Sequence, residues 1–316
     1  MKFETFAKKV KEALPEFLPE NFNDATIDLT KVTKNNDTVL TGITVKNGEY
    51  IAPVIYLEQF YEEFSSSTLS VKDIARKLAD IFEESFKYSF SKDANSIVMN
   101  AHKLDIVSPY IKPRLINLEK NKEYLKDKPH KIVADLAVIY YIELDTGKDD
   151  GYSTIPITNT LLESYGIDVD DLHGIALENM IQSDSVTLTS LTDKILEMQI
   201  PGFASMSDTE KERVSKSLGI EPSPMYYLSN NGSNMFGAAV LLDVEVLKHI
   251  RARFGGFYIL PSSIHEVLII PKFLGESLET LQQMVREVNH NVVDDADILS
   301  DNVYSFNLDS NSIRVM

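Results

Sequence analysis

No cysteine occurs in this sequence. Its absence excludes disulfides, thiolate zinc sites and a cysteine nucleophile together, and it fits a reducing compartment. No run approaches the ~20 apolar residues of a spanning helix. The opening stretch MKFETFAKKVKEAL lacks an apolar region of roughly 7–15 residues, so no secretory signal is expected and a cytoplasmic location is. Basic surface is scarce as well. Against 31 Lys and Arg stand 48 Asp and Glu, for a net charge of −17. Direct nucleic-acid binding needs clustered Lys and Arg and is not expected. The Lys-rich stretch 120–131 is interrupted by acids and reads as a solvated hairpin end.

Several chemistries lack their residues. Gly147-Lys148 is followed by Asp149, and Ile142 stands where a P-loop needs its first glycine. The glycines of NNGSNMFG (230–237) fall between two expected strands and read as a hairpin turn, not a dinucleotide fingerprint. No Gly-x-Ser-x-Gly is present. His102, His130, His173, His249, His265 and His290 are too scattered for joint metal ligation. NLDSNS (307–312) puts Ser312 where a calcium loop needs glycine. Asp168, Asp170 and Asp171 sit at an expected helix start, where capping accounts for them. No metal and no cofactor is expected.

What is present is an ordinary globular balance, 43% hydrophobic and 25% charged, over 316 residues. Phe3, Phe6, Ala7, Val10, Ala13, Leu14 and Phe17 make an apolar stripe that predicts a helix over 3–17, docked on its own domain. Strands are expected at 25–33, 38–45 and 50–57, with a turn at Asn47-Gly48 and Pro53 marking an edge or bulge. Ser70 caps the next helix, with Asp73 three residues on. Strands at 113–119, 135–144 and 151–157 surround a nearly all-apolar central run, and a helix follows from Asp168.

Residues 183–222 turn rich in Ser, Thr and Asp and read as a helix-containing connector. Beyond it come strands 225–229 and 236–242, helix 244–254, strands 256–261 and 264–270, helix 276–289 and a hairpin 302–316. The expected fold is α+β in two domains, 1–182 and 223–316, with mainly antiparallel sheets and packed helices. The C-terminal domain is then ββαββα plus a closing hairpin.

RLINLEKNKEYLKDKPH (114–130), DLAVIYY (135–141), MYYLSNNGSNMFGAAVLL (225–242), YILPSSIHEVLIIP (258–271) and LSDNVYSF (299–306) resemble an uncharacterised bacterial domain-of-unknown-function family common in anaerobic Firmicutes. IYYIEL followed by LLESYGIDVDDLHGIALENM resembles more faintly a second uncharacterised family, the YtpQ type. Neither resemblance implies an activity or a site.

Two groups of residues are candidates for function. In PSSIHE, Ser263 and His265 share a strand face while Glu266 faces away. A hydrolase centred on Ser263 and His265, with Glu266 acting through something remote, is one reading. A structural corner is the other: Pro261 ends a strand, and Ser262 and Ser263 bond local backbone. Arg114, Asn117, Glu119, Asn121, His130 and Asp135 form a second group, either a recognition surface or a solvated hairpin face. The favoured function is a non-catalytic protein-binding module with a protein partner and no membrane. The Ser263/His265 hydrolase and an acidic DNA-mimic or regulatory protein are the alternatives.

Overall fold

In a computed structural model, which describes residues 1–47, 54–87, 92–145, 152–183, 185–230, 235–261 and 263–316, Phe6, Ala7 and Val10 form the buried side of helix α1, Phe3–Ala13. The helix stops short of residue 17. Pro15 has no N–H to donate, and the chain tightens into a 3₁₀ turn at Leu14–Glu16. The chain divides into two units, Met1–Met99 with Asp145–Asp149, and Asn100–Leu144 with Asp150–Met316.

In the first unit, β1 (Thr26–Thr33), β2 (Val39–Lys46) and β3 (Ile55–Tyr56) pair antiparallel in that order. Asn36 and Asp37 take positive φ between β1 and β2, a conformation their short polar side chains tolerate. Gly48 of the expected Asn47-Gly48 turn, and Pro53, lie outside the described residues. Helices α2 (Glu58–Ser66), α3 (Val71–Lys87) and α4 (Lys92–Met99) follow. The Ser70 N–H donates to Asp73 Oδ2 at 2.8 Å and the Asp73 N–H to Ser70 Oγ at 3.3 Å, the reciprocal cap expected from the sequence. Ile74, Leu78 and Phe82 of α3 then share a core with Phe6, Val10, Ile43 and Leu57.

The second unit holds two sheets. After α5 (Leu104–Val107) come β4 (Ile111–Asn117), β5 (Lys131–Val133), β6 (Leu136–Asp145) and β7 (Tyr152–Pro156). β4 and β5 flank β6, and β7 pairs with β6 as well. The apolar run of β6 is buried from Leu136 to Ile142, as a central strand should be. Helices α6 (Asn159–Tyr165) and α7 (Val169–Ser183) follow, and α7 packs on β4. Asp168 accepts the Asp171 N–H at 2.9 Å, so the acids at this helix start include a cap.

The second sheet is built from β8 (Val186–Ser190), β9 (Tyr226–Asn230), β10 (Phe257–Leu260), β11 (Val267–Pro271), β12 (Tyr304–Asn307) and β13 (Ser312–Val315), in the spatial order β13-β12-β10-β11-β9-β8. Between these strands lie α8 (Leu191–Gln199), α9 (Asp208–Ser217), α10 (Val244–Phe254) and α11 (Leu278–Asn291). Leu281 and Val285 of α11 cover the sheet face of Leu260 and Ile270. On the opposite face Phe257, Ile259, Val267 and Ile269 are also buried, and the Tyr226 ring meets Phe254 of α10 at 4.5 Å. The mixed α and β composition with antiparallel sheets agrees with the sequence.

One expectation differs from the structure. Residues 236–242 are not a strand: Gly237–Leu242 is a 3₁₀ segment, buried from Gly237 to Leu241. Phe236 enters it with φ 57°, which a ladder does not permit. The two compact units divide after residue 99. Val186–Ser190 pairs with Tyr226–Asn230 as the end strand of the six-stranded sheet, so the expected connector begins inside a sheet. The Leu191 N–H donates to Met225 O and the Ser223 N–H to Thr192 Oγ1, tying both ends of the stretch together.

Candidate functional site

β4 alternates. Ile111, Pro113, Leu115 and Asn117 look one way, and Lys112, Arg114 and Ile116 the other. Register places Tyr141 opposite Lys112 and Ile139 opposite Arg114 on that second face. Lys112 is closed off by an ion pair with Glu143, 2.9 Å and largely buried. Arg114 has a different setting. Its guanidinium carbon lies 4.1 Å from the centre of the Phe236 ring. Phe236 meets Tyr141 edge-on at 5.1 Å and stacks on the imidazole of His265 at 5.7 Å, the planes 15° apart. The Phe236 N–H donates to His265 Nδ1 at 3.2 Å, and His265 Nε2 stands 3.4 Å from Asp297 Oδ1.

The backbone makes this stack possible. Positive φ at Phe236 turns its ring toward β4 while its N–H points at His265. Gly237 then passes close to the corner: a Cβ there would lie 1.9 Å from Ser229 Oγ and 2.4 Å from the His265 carbonyl. The Ala238 N–H donates to Ile264 O, and the Ile264 N–H to Asp297 O at 2.9 Å. Four chain segments, β4, 236–238, 263–266 and the loop before β12, therefore meet at one point.

The electrostatics follow from the burial. Desolvation lowers the pKa of Arg114, opposed by Tyr124, Tyr141 and Asp297; an arginine stays protonated regardless. The hydrogen bond from His265, assisted by the charge of Arg114, holds the Asp297 carboxyl below its ordinary value against the effect of burial. Arg114 Nε is withdrawn from solvent and has no hydrogen-bond partner among the described residues.

Ser263, His265 and Glu266 come together, but not as a dyad. Ser263 Oγ donates to Glu266 Oε1 at 2.7 Å and accepts the His265 N–H at 3.0 Å. The Ser263 N–H donates to Glu266 O. Because His265 Nδ1 accepts a backbone N–H, the proton of the neutral ring sits on Nε2 and faces Asp297. No lone pair of the ring is left to draw a proton from Ser263. Ser262 lies outside the described residues, as do residues 231–234 of the expected glycine turn and 147–149 of the Gly-Lys pair.

The second group divides. Asn117 and Asn121 are buried and adjacent: Asn121 Nδ2 donates to Asn117 O, Asn117 Nδ2 to Leu299 O, and the Lys120 N–H to Asn117 Oδ1. Glu119 is exposed and pairs with Lys122 at 2.6 Å. His130 Nδ1 donates to Lys128 O at 2.9 Å. Asp135 Oδ2 accepts from Ser300 Oγ and Asn302 Nδ2. Arg114 alone of this group joins the His265 cluster. Phe236, Gly237 and Asp297 carried no sequence signal for a site. Phe236 sits in an apolar run, and Asp297 is one acid among several.

Among the described residues no three His, Asp or Glu side chains converge as metal ligands, and no helix is long and apolar enough to cross a membrane. Asp170 is taken by Lys131 at 2.7 Å and His173 by the Tyr140 hydroxyl at 3.0 Å. What the cluster offers is a charged donor fork held against the Phe236 ring.

A family model described as a family of unknown function (DUF5688) matches residues 3–308, nearly the whole chain, and the protein belongs to that family. No curated protein and no solved structure matches it.

Proposed function

We propose that this member of the family is a non-catalytic binding module whose partner is a protein, recognised at the Arg114 cluster. The observation that supports the reading is a guanidinium laid over Phe236, a ring that Tyr141 meets edge-on, whose Nε has no hydrogen-bond acceptor among the described residues. Arginines and aromatic rings in desolvated settings are the residues that carry binding energy at interfaces. A guanidinium already fixed in position loses little entropy when an acceptor arrives. The hydroxyl and imidazole that a hydrolase would need are instead bonded to Glu266, Asp297 and the Phe236 backbone.

The test is affinity capture of the full chain from its native host, wild type against Arg114→Met, with quantitative mass spectrometry. A partner enriched by the wild type should fall at least about tenfold with the variant, the equivalent of ~1.4 kcal/mol. Identical partner profiles from two equally folded proteins would remove the reading.

A further inference from the structure

Among the described residues the Arg114 Nε has no hydrogen-bond partner; the guanidinium lies over the Phe236 ring, and Tyr124, Tyr141 and Asp297 stand near enough to favour its charge. Lys112 and Glu143 pair with each other, and Asp297 Oδ1 faces His265 Nε2. A buried donor without an acceptor costs on the order of 1–3 kcal/mol, and more for a charged group. Such a group calls for an acceptor from outside the chain.

We propose that Arg114 is the anchor of a carboxylate-binding site, in which one planar carboxylate accepts the parallel N–H groups of the guanidinium beside the Phe236 ring. The inference rests on the binding reading above and names the chemistry recognised. Planarity favours carboxylate, because the guanidinium fork matches its two oxygens in one plane. Charge favours it too. A carboxylate brings a single negative charge toward Asp297, whereas a phosphate dianion would bring two. The whole chain carries −17, so its general field repels anions, and saturable binding would have to come from a local site.

The experiment uses the full chain labelled with ¹⁵N-arginine. The Arg114 Nε–Hε signal is identified by its absence from Arg114→Lys. Acetate, inorganic phosphate, a short peptide with a free C-terminal carboxylate and its C-terminal amide are titrated at constant ionic strength. Acetate or the free-acid peptide should shift the Arg114 signal saturably, and the amide should not. Arg114→Lys, with charge but no fork, should bind at least tenfold more weakly. A stronger response to the peptide than to acetate identifies a chain carboxylate as the source; the reverse order identifies a small acid.

An Arg114 signal unmoved at about 100 mM acetate, far above millimolar dissociation constants, and unmoved by the peptide overturns the proposal, as does equal saturation by phosphate. The wild-type titration decides even where a variant fails to fold. Partner capture that depends on Arg114 with silent titrations refutes the carboxylate and leaves the binding reading standing. Saturable carboxylate binding with no Arg114-dependent protein supports the carboxylate and refutes the protein partner.

Discussion

At the scale of single residues, the corner around His265 has little room. Gly237→Ala would push a methyl into Ser229 Oγ and the His265 carbonyl, the second of which is backbone. Overpacking of this kind costs typically ~1–3 kcal/mol. Urea denaturation should give Gly237→Ala a much larger packing cost than Gly255→Ala, since the space around Gly255 is open and only its φ of 72° resists a side chain. Ser263→Ala should cost about 1–2 kcal/mol by removing the hydroxyl that joins Glu266 to the His265 backbone. A serine-directed phosphonate should leave Ser263 unlabelled; labelling that disappears in His265→Ala would restore the hydrolase. Asp297 gives a pH signature. Its pKa is depressed in the folded chain, so its contribution is present above the ordinary 3.8 and is lost as pH falls through the lowered value. Asp297→Asn should therefore flatten the acid limb of the stability profile and leave its alkaline limb unchanged.

At the scale of elements, what could be read from the sequence depended on periodicity and caps. The Ser70–Asp73 cap and the stripe of α3 are local, and the alternation of β4 follows from its own seven residues. The 236–242 run carries neither signal. It is apolar throughout, and its conformation is decided by Phe236 at positive φ and by the packing of Gly237 on residues 229 and 265, distant in sequence. The site suffered the same blindness. Arg114 and His265 were visible as polar residues in apolar surroundings, but nothing local joins them to each other or to Asp297. α1 offers the element-level test. Phe6 is fully buried in the core shared with α3 and β2. Phe6→Ala should cost ~3–5 kcal/mol, and hydrogen exchange should locate the loss of protection in residues 1–99. Unchanged stability with altered vesicle binding would instead make α1 a membrane-surface helix.

At the scale of the molecule, the stretch 183–222 separates the two expectations about its build. α9 buries none of its residues and is the natural place for a protease to cut. A free-standing C-terminal domain would then be released. The pairing of β8 with β9 across the cut argues for a different outcome. Limited proteolysis should nick the chain near 208–217, and the two pieces should still elute together from a sizing column without denaturant. Separate elution of a fragment near 223–316 would restore the connector.

Side-chain bonds at the end of β4 and the start of β6 reach far along the chain. Asn117 Nδ2 bonds the carbonyl of Leu299, 182 residues later, and Asp135 bonds Asn302, 167 residues later. A ribosome adding roughly 5–20 residues per second makes β4 about 10–40 seconds before it makes the loop that closes over it. Through that interval the nascent chain displays Arg114 without Asp297. A copy truncated before residue 297 never acquires the arrangement at all. Recognition at this site would thus be reserved for finished polypeptides, and incomplete ones would be left to the machinery that clears them.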